Sequence, residues 1–232
     1  MEKISLKNLI NFRNKSDRSK KSFASNLTKE KIASNKSNGG DYWISCLSSI
    51  RNSFKCNNVH LLDEKIHLLI TKINATKAQK TKNQFQRNID IINAFKDFDK
   101  SGLKPNSDIV FLKQPRAHSI ITIGGFPIQV KPCFIYTFSE NYSEEIGGIW
   151  FIAKLNGFRK GELGMFADLI YRYLIKHYSK RFFVNPDYCI AIDLFNVQQV
   201  NFSEIKNTKI TTLIDKTIDE IKSLLGNNLF LL

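Results

Sequence analysis

The residues best suited to chemistry lie around one apolar segment, Gly148–Leu155, which carries Lys154 near its end. An ammonium group in that position can stabilise negative charge that develops on a phosphate, while carboxylates bind the divalent cation that activates water. The acidic candidates are Glu144 and Glu145, in the loop before the segment, and Asp193, at the end of a later apolar segment. These residue types would suit metal-dependent cleavage of a phosphodiester. Alternatively, Lys154 is a strand lysine that forms a salt bridge or extends its ammonium group to solvent.

Other sequence signatures of enzymes are missing from the chain. The glycine pairs lack the GxGxxG and GxxxxGK spacings of phosphate-binding loops, and the GxSxG serine motif does not occur. The four histidines lie in different segments and the four cysteines form no CxxC pair, so we expect free, buried thiols and no zinc site. The sequence therefore predicts no cofactor, or Mg²⁺ if the protein is a nuclease.

The net charge of +14 is concentrated in the first half of the chain. Residues 1–40 carry +7 from ten basic and three acidic side chains, and residues 41–116 carry +6 from thirteen and seven. Residues 117–232 carry only +1, from twelve and eleven. Clustered cations gain free energy by releasing the counterions condensed on a polyanion, so this asymmetry favours a nucleic-acid partner, DNA or RNA. The alternatives are an acidic protein partner and a purely solubilising surface.

The basic residues predicted to contact nucleic acid belong to the N-terminal segment, a helical region and the loop before a long helix. They are Arg13, Lys15, Arg18, Lys20, Lys21, Lys77, Lys80, Lys82, Arg87, Arg159 and Lys160. Flexible lysine-rich segments contact phosphates rather than base edges, so we expect little sequence preference. Four aromatic residues could stack on the bases of a single strand, or simply belong to the core. They are Tyr42, Trp43, Trp150 and Phe151.

The hydrophobic pattern divides the chain into three parts. Residues 1–40 are polar and basic and are predicted to form a flexible tail, whose removal should leave the fold intact. Residues 41–104 place apolar side chains at helical spacing and form a predicted helical region. Residues 105–232 are predicted to form an α/β core domain. The predicted fold class is α+β (mixed α/β), a small mixed sheet with a long helix packed on it.

Two elements of the core domain stand out in the pattern. The segment Phe126–Phe138 is typical of a strand, interrupted by a bulge or an edge position at Pro132. Alternation puts one set of its side chains on the same face, namely Ile128, Val130, Pro132, Phe134, Tyr136 and Phe138. Gly161–Tyr178 is predicted to be an amphipathic helix. Its apolar stripe is made by Leu163, Phe166, Ile170 and Tyr173.

A Pro-Cys pair ending at Cys133 is followed by an Ile-Ala-Lys triplet ending at Lys154, and then by the long helix. In this order of elements, residues 85–195 resemble the core of the PD-(D/E)XK nucleases, which are restriction-endonuclease-like proteins. The resemblance implies an Asp after the Pro and a carboxylate two residues before the Lys, which together hold a divalent metal. Cys133 and Ile152 stand in place of both carboxylates, and only Lys154 matches.

The missing carboxylates favour a protein without catalytic activity. We expect a nucleic-acid-binding or assembly protein built on a catalytically degenerate nuclease-like core. One alternative is an active metal-dependent nuclease with relocated carboxylates, and another is a protein-binding subunit of a multi-component bacterial system. No apolar run approaches the ~18 residues of a membrane span and the N-terminus has no signal-peptide core, so the predicted location is the cytoplasm, without membrane contact.

Overall fold

The computed structural model describes residues 3–29, 42–113, 119–140, 143–207, 210 and 213–226. The strands are β1 (Ile4–Ser5), β2 (Ile109–Phe111), β3 (Ile120–Ile123), β4 (Phe126–Gln129), β5 (Phe134–Glu140), β6 (Ser143–Ile152), β7 (Phe183–Asp193) and β8 (Gln198–Asn201). The helices are α1 (Leu6–Arg13), α2 (Asp17–Thr28), α3 (Ile44–Cys56), α4 (His60–Ala75), α5 (Gln79–Asp97), α6 (Lys160–Tyr178), α7 (Phe202–Lys206) and α8 (Ile214–Leu225). Of the helices in these ranges, none is long and apolar enough to cross a membrane.

A five-stranded mixed sheet, in the order β2-β5-β6-β7-β8, forms the centre of the molecule. β6 and β7 are parallel neighbours, and α6 connects them across one face of the sheet. The other neighbouring strands pair antiparallel. This architecture confirms the predicted α+β fold class with a mixed sheet.

α6 packs on the sheet through the predicted apolar stripe. Leu163, Phe166, Ile170 and Tyr173 are all buried in one core cluster. Gly148 of β6 allows this close approach, because a Cβ atom there would lie 2.8 Å from Ile170 Cγ2. The predicted position of the long helix on the sheet is confirmed.

The helices α3, α4 and α5 cover the opposite face of the sheet with an aromatic core. The ring centroid of Phe151, on β6, lies 5.2 Å from that of Phe54 and 5.7 Å from that of Phe95, both in edge-to-face geometry. Such pairs stabilise a core beyond their buried area. The helical region and the sheet therefore share one core.

The expectation that residues 1–40 form a flexible tail is wrong for residues 3–29. β1 pairs in parallel with β4, which also pairs with β3, so the N-terminus belongs to a second, three-stranded sheet. α1 buries Leu6, Leu9, Ile10 and Phe12 in the same cluster as α6. These apolar residues are few, but their helical spacing places them on one buried face. The rest of the predicted tail, residues 1–2 and 30–40, lies outside the described residues.

The segment predicted as one interrupted strand is two strands in two different sheets. β4 ends at Gln129 and β5 begins at Phe134, with Pro132 between them. Pro has no N–H to donate to a ladder, so pairing stops there. The predicted single face is therefore wrong, since Ile128 packs in the cluster of α6 and Tyr136 in that of α3–α5.

Candidate functional site

The start of β5 meets the end of β6 at the position that the nuclease resemblance singles out. The Cys133 N–H donates a hydrogen bond to the Ile149 carbonyl (2.8 Å), and the Phe151 N–H donates one to Cys133 Sγ (3.2 Å). The antiparallel pairing of the two strands continues from there. Cys133, Ile152 and Lys154 therefore lie at one edge of the five-stranded sheet.

Neither side chain at the two positions expected to be acidic suits a hard metal ion. Ile152 is an apolar side chain, 3% exposed. Burial raises the pKa of the Cys133 thiol, and the nearby guanidinium of Arg51 acts in the opposite direction. A neutral thiol is a poor ligand for Mg²⁺, which prefers oxygen. This pair of residues thus lacks the chemistry of a nuclease metal site.

Two neighbouring cavities open along this edge, and we call them together the β6 groove. The first, about 160 Å³, is bordered by α1, α3 and the β4–β5 connection, with Lys7, Arg51 and Lys131 in its lining. The second, about 300 Å³, is bordered by α1, the start of α3 and the β6–α6 loop, with Lys7 and Lys154 in its lining. The two cavities have Lys7 and Ala153 in common. They therefore lie next to each other at the end of β6.

The β6 groove is basic and partly aromatic. Four cations from four separate segments line it, and no acidic side chain does so within the described part of the chain. Tyr42 and Trp43 line the second cavity, while Trp150 and Phe151 line the first. All four residues considered for stacking in the sequence therefore border the groove, including both tryptophans of the chain. The ring of Phe151 is fully buried against Phe54 and Phe95 and offers no face to a base.

Asp193, a sequence candidate for a ligand or base, holds the β6–α6 loop in place. Its Oδ2 atom accepts a hydrogen bond from the Phe158 N–H (2.7 Å) and Oδ1 accepts one from the Phe195 N–H (3.0 Å). The residue is fully buried, and this burial raises the pKa of its carboxyl, opposed by backbone N–H groups and by Lys154. With both oxygens committed to the backbone, Asp193 has a structural role.

The structure does not bring Glu144 and Glu145 near Lys154. Both lie at the opposite end of β6. Ile152 follows Glu145 by seven positions along the extended strand, which corresponds to about 23 Å. The Glu145 carboxylate accepts a hydrogen bond from Asn185 Nδ2 at 2.6 Å. In the residues that the structure describes, no group of three or more His, Cys, Asp or Glu side chains could hold a metal ion.

The chain was compared with known proteins at three levels. No protein-family model, curated protein or solved structure matches it. The function of the β6 groove is therefore inferred from the side chains around it.

The predicted basic residues of the N-terminal segment fall into two groups. Arg13 donates a hydrogen bond to Thr217 Oγ1 (3.0 Å), and Lys20 pairs with Glu220 (2.7 Å), so both fasten this segment to α8. The remaining three are exposed, in α2 and in the link before it. They are Lys15, Arg18 and Lys21. Of the five basic residues predicted in this segment, these three present exposed charge of the kind that the sequence predicts.

The basic residues of the helical region lead from the start of α5 toward the groove. Arg87 Nη1 donates a hydrogen bond to the hydroxyl of Tyr42 (3.1 Å), at the rim of the second cavity. Lys80 is exposed one turn before Gln84, whose side chain donates to the Tyr42 carbonyl (3.3 Å). The other two predicted cations, Lys77 and Lys82, lie just before α5 and in its first turn.

Arg159 and Lys160 lie at the start of α6, beside a separate open cleft that Gln198 and Gln199 also line. Arg159 precedes the helix, and its N–H donates to the Glu162 carboxylate (3.1 Å). Lys160 pairs with Glu204 at 2.9 Å. At this predicted phosphate site, the backbone N–H of Arg159 and the ammonium group of Lys160 thus already have partners within the protein.

Three further cations complete the β6 groove and were not predicted from the sequence. They are Lys7, Arg51 and Lys131. They lie in α1, in α3 and between β4 and β5, far apart in the chain. Nothing in their spacing connects them, because the groove is formed by tertiary packing. The only available signal was Lys131, which directly precedes the Pro-Cys pair.

Proposed function

We propose that the protein binds nucleic acid along the β6 groove and does not cleave it, on a catalytically degenerate nuclease-like core. The observation that carries this proposal is the set of cations at the end of β6, unaccompanied by acidic side chains among the described lining residues. They are Lys7, Arg51, Lys131 and Lys154. A cleft lined by one sign of charge concentrates ligands of the opposite sign. Phosphate groups along a strand fit that requirement.

The order of elements supports the nuclease-like part of the proposal. The chain runs through α5, then β2, β5 and β6 of the central sheet, then α6 and β7, with β3 and β4 of the second sheet inserted between β2 and β5. Without that insertion, the order is a helix, three antiparallel strands, a helix and a further strand. Cys133 and Lys154 lie at the sheet edge where the resemblance implies a metal-binding Asp and a catalytic Lys. With Cys133 and Ile152 at the acidic positions, the same edge keeps its basic character and loses its metal ligands.

The test compares two triple variants that lose the same charge. Lys7→Gln, Lys131→Gln and Lys154→Gln together remove three cations from the groove. Lys176→Gln, Lys180→Gln and Arg181→Gln together remove three exposed cations at the far end of α6. Fluorescence anisotropy with a labelled oligonucleotide in about 0.1 M salt should show at least tenfold weaker binding for the groove variant, because phosphate contacts dominate affinity.

The control variant should bind within about twofold of the wild type, because long-range charge effects are screened beyond roughly 10 Å at ordinary salt. Circular dichroism establishes that both variants are folded. Equal losses in the two variants would contradict the groove as the binding site, since the net charge alone would then explain binding.

A further inference from the structure

Resting on the proposed function, we infer that the bound strand is single and that one of its bases occupies the second cavity of the β6 groove. This cavity combines a large apolar lining with a cationic rim. The lining is made by Ile10, Tyr42, Trp43, Leu155 and Phe158. Lys7 and Lys154 supply the charge and Asn11 supplies an amide. A nucleotide presents the complementary groups: a flat π-surface, a hydrogen-bonding edge and a phosphate.

The aromatic geometry favours a base at this position. Tyr42 and Trp43 pack edge to face, with ring centroids 4.6 Å apart. The Arg87 guanidinium donates a hydrogen bond to the Tyr42 hydroxyl, which favours one orientation of the ring. Leu155 is 45% exposed on the loop that borders the same cavity. A base that covered Tyr42 and Leu155 would remove their apolar surface from water, and stacking on an aromatic side chain contributes about 1–3 kcal/mol per base.

A duplex does not offer an unpaired base to this cavity. Its bases are stacked and paired, and one base enters a concave pocket only after it is flipped out, which costs a few kcal/mol. A free nucleotide would fill the second cavity alone. The first cavity adjoins it through Lys7 and carries Lys131 and Arg51, so cations continue where the next phosphates of a strand would lie.

The experiment compares strands of equal length and charge that differ in their bases, together with a duplex and a free nucleotide. Full-length protein is titrated with oligo(dT) of about 12 nucleotides, an abasic strand of the same length, oligo(U), a duplex and thymidine monophosphate. Both tryptophans line the groove, so intrinsic fluorescence reports binding without a label, and Trp150→Phe isolates the signal of Trp43. We expect oligo(dT) to bind at least tenfold more tightly than the abasic strand, and to change the Trp43 emission. The oligo(U) arm distinguishes RNA from DNA.

A Tyr42→Ala variant should bring the affinity for oligo(dT) close to that for the abasic strand, whereas Tyr42→Phe should retain it. Tyr171→Ala, at a ring that stacks on Phe202 away from the groove, is the matched control. Equal affinity for the oligo(dT), abasic and duplex probes would overturn the base pocket and leave the proposed function standing. Binding of thymidine monophosphate as tight as that of oligo(dT) would also overturn it, in favour of a free nucleotide as ligand. If none of the probes binds, both this inference and the proposed function fail.

Discussion

Two neighbouring groups of the protein act on the ammonium group of Lys154. Its Nζ atom lies 5.2 Å from the ring centroid of Phe158, whose N–H donates to Asp193. Attraction to the carboxylate of Asp193 acts on the same lysine. Both contacts favour a position of Lys154 at the groove, where the proposed phosphate would lie.

The first residue-scale prediction concerns cleavage. With Mg²⁺ or Mn²⁺ added, the purified protein should leave labelled single-stranded and duplex substrates intact, because Cys133 and Ile152 supply no oxygen ligand. Gel electrophoresis of the products checks this. Metal-dependent cleavage that disappears in Lys154→Ala but persists in Lys176→Ala would contradict it.

The second residue-scale prediction concerns Asp193. Replacing it with Asn puts an N–H₂ group against a backbone N–H donor and leaves a buried donor unsatisfied. We expect Asp193→Asn to lower the free energy of unfolding by about 1–3 kcal/mol. Denaturant titration measures this, with Asp187→Asn, at an exposed position, as the control. An unchanged stability would show that Asp193 does not hold the loop.

At this scale the sequence located some groups but not their roles. Lys154 was found because an apolar segment ends beside it, and it does lie at the groove. The sequence indicated that Asp193 could act as a ligand or a base. Its structural role could not be predicted, because its partners are backbone N–H groups that no side-chain pattern reveals. Lys7 and Arg51 were missed because only the folded chain brings them to Lys154.

At the scale of elements, α6 was predictable and the burial of α1 was not. α6 is a 19-residue helix with a continuous apolar stripe, so its period is clear in the sequence. α1 has eight residues, follows a two-residue strand and is surrounded by polar sequence. Its burial depends on pairing of Ile4 with Ile128, a contact between distant parts of the chain.

The prediction at this scale is that the N-terminal segment stabilises the fold. Leu9 is fully buried in the core cluster of α6, so Leu9→Ala should cost about 2–5 kcal/mol of unfolding free energy. Lys21→Ala, at an exposed position of α2, should change the stability by less than about 0.5 kcal/mol. Denaturant unfolding followed by circular dichroism checks both variants. Similar stability for Leu9→Ala and the wild type would mean that α1 does not belong to the core.

On the scale of the whole molecule, the excess of basic residues can be compared with the positions of the groove cations. The basic first half of the chain supplies Lys7 and Arg51 to the groove, and the second half supplies Lys131 and Lys154. Arg87 adds a cation at the rim through Tyr42. Net charge by sequence region therefore predicts a class of partner, while the proposed binding surface draws on both halves of the chain.

The salt dependence of binding tests the central claim most directly. A single strand contributes a slope of about −0.7 in log K against log salt for each phosphate contact, so four groove cations predict a slope of about −3 for the wild type. The groove triple variant should retain about −1, and the control triple variant of α6 should keep the wild-type slope. Identical slopes in all three proteins, or no binding by the wild type at micromolar concentration in low salt, would contradict the account.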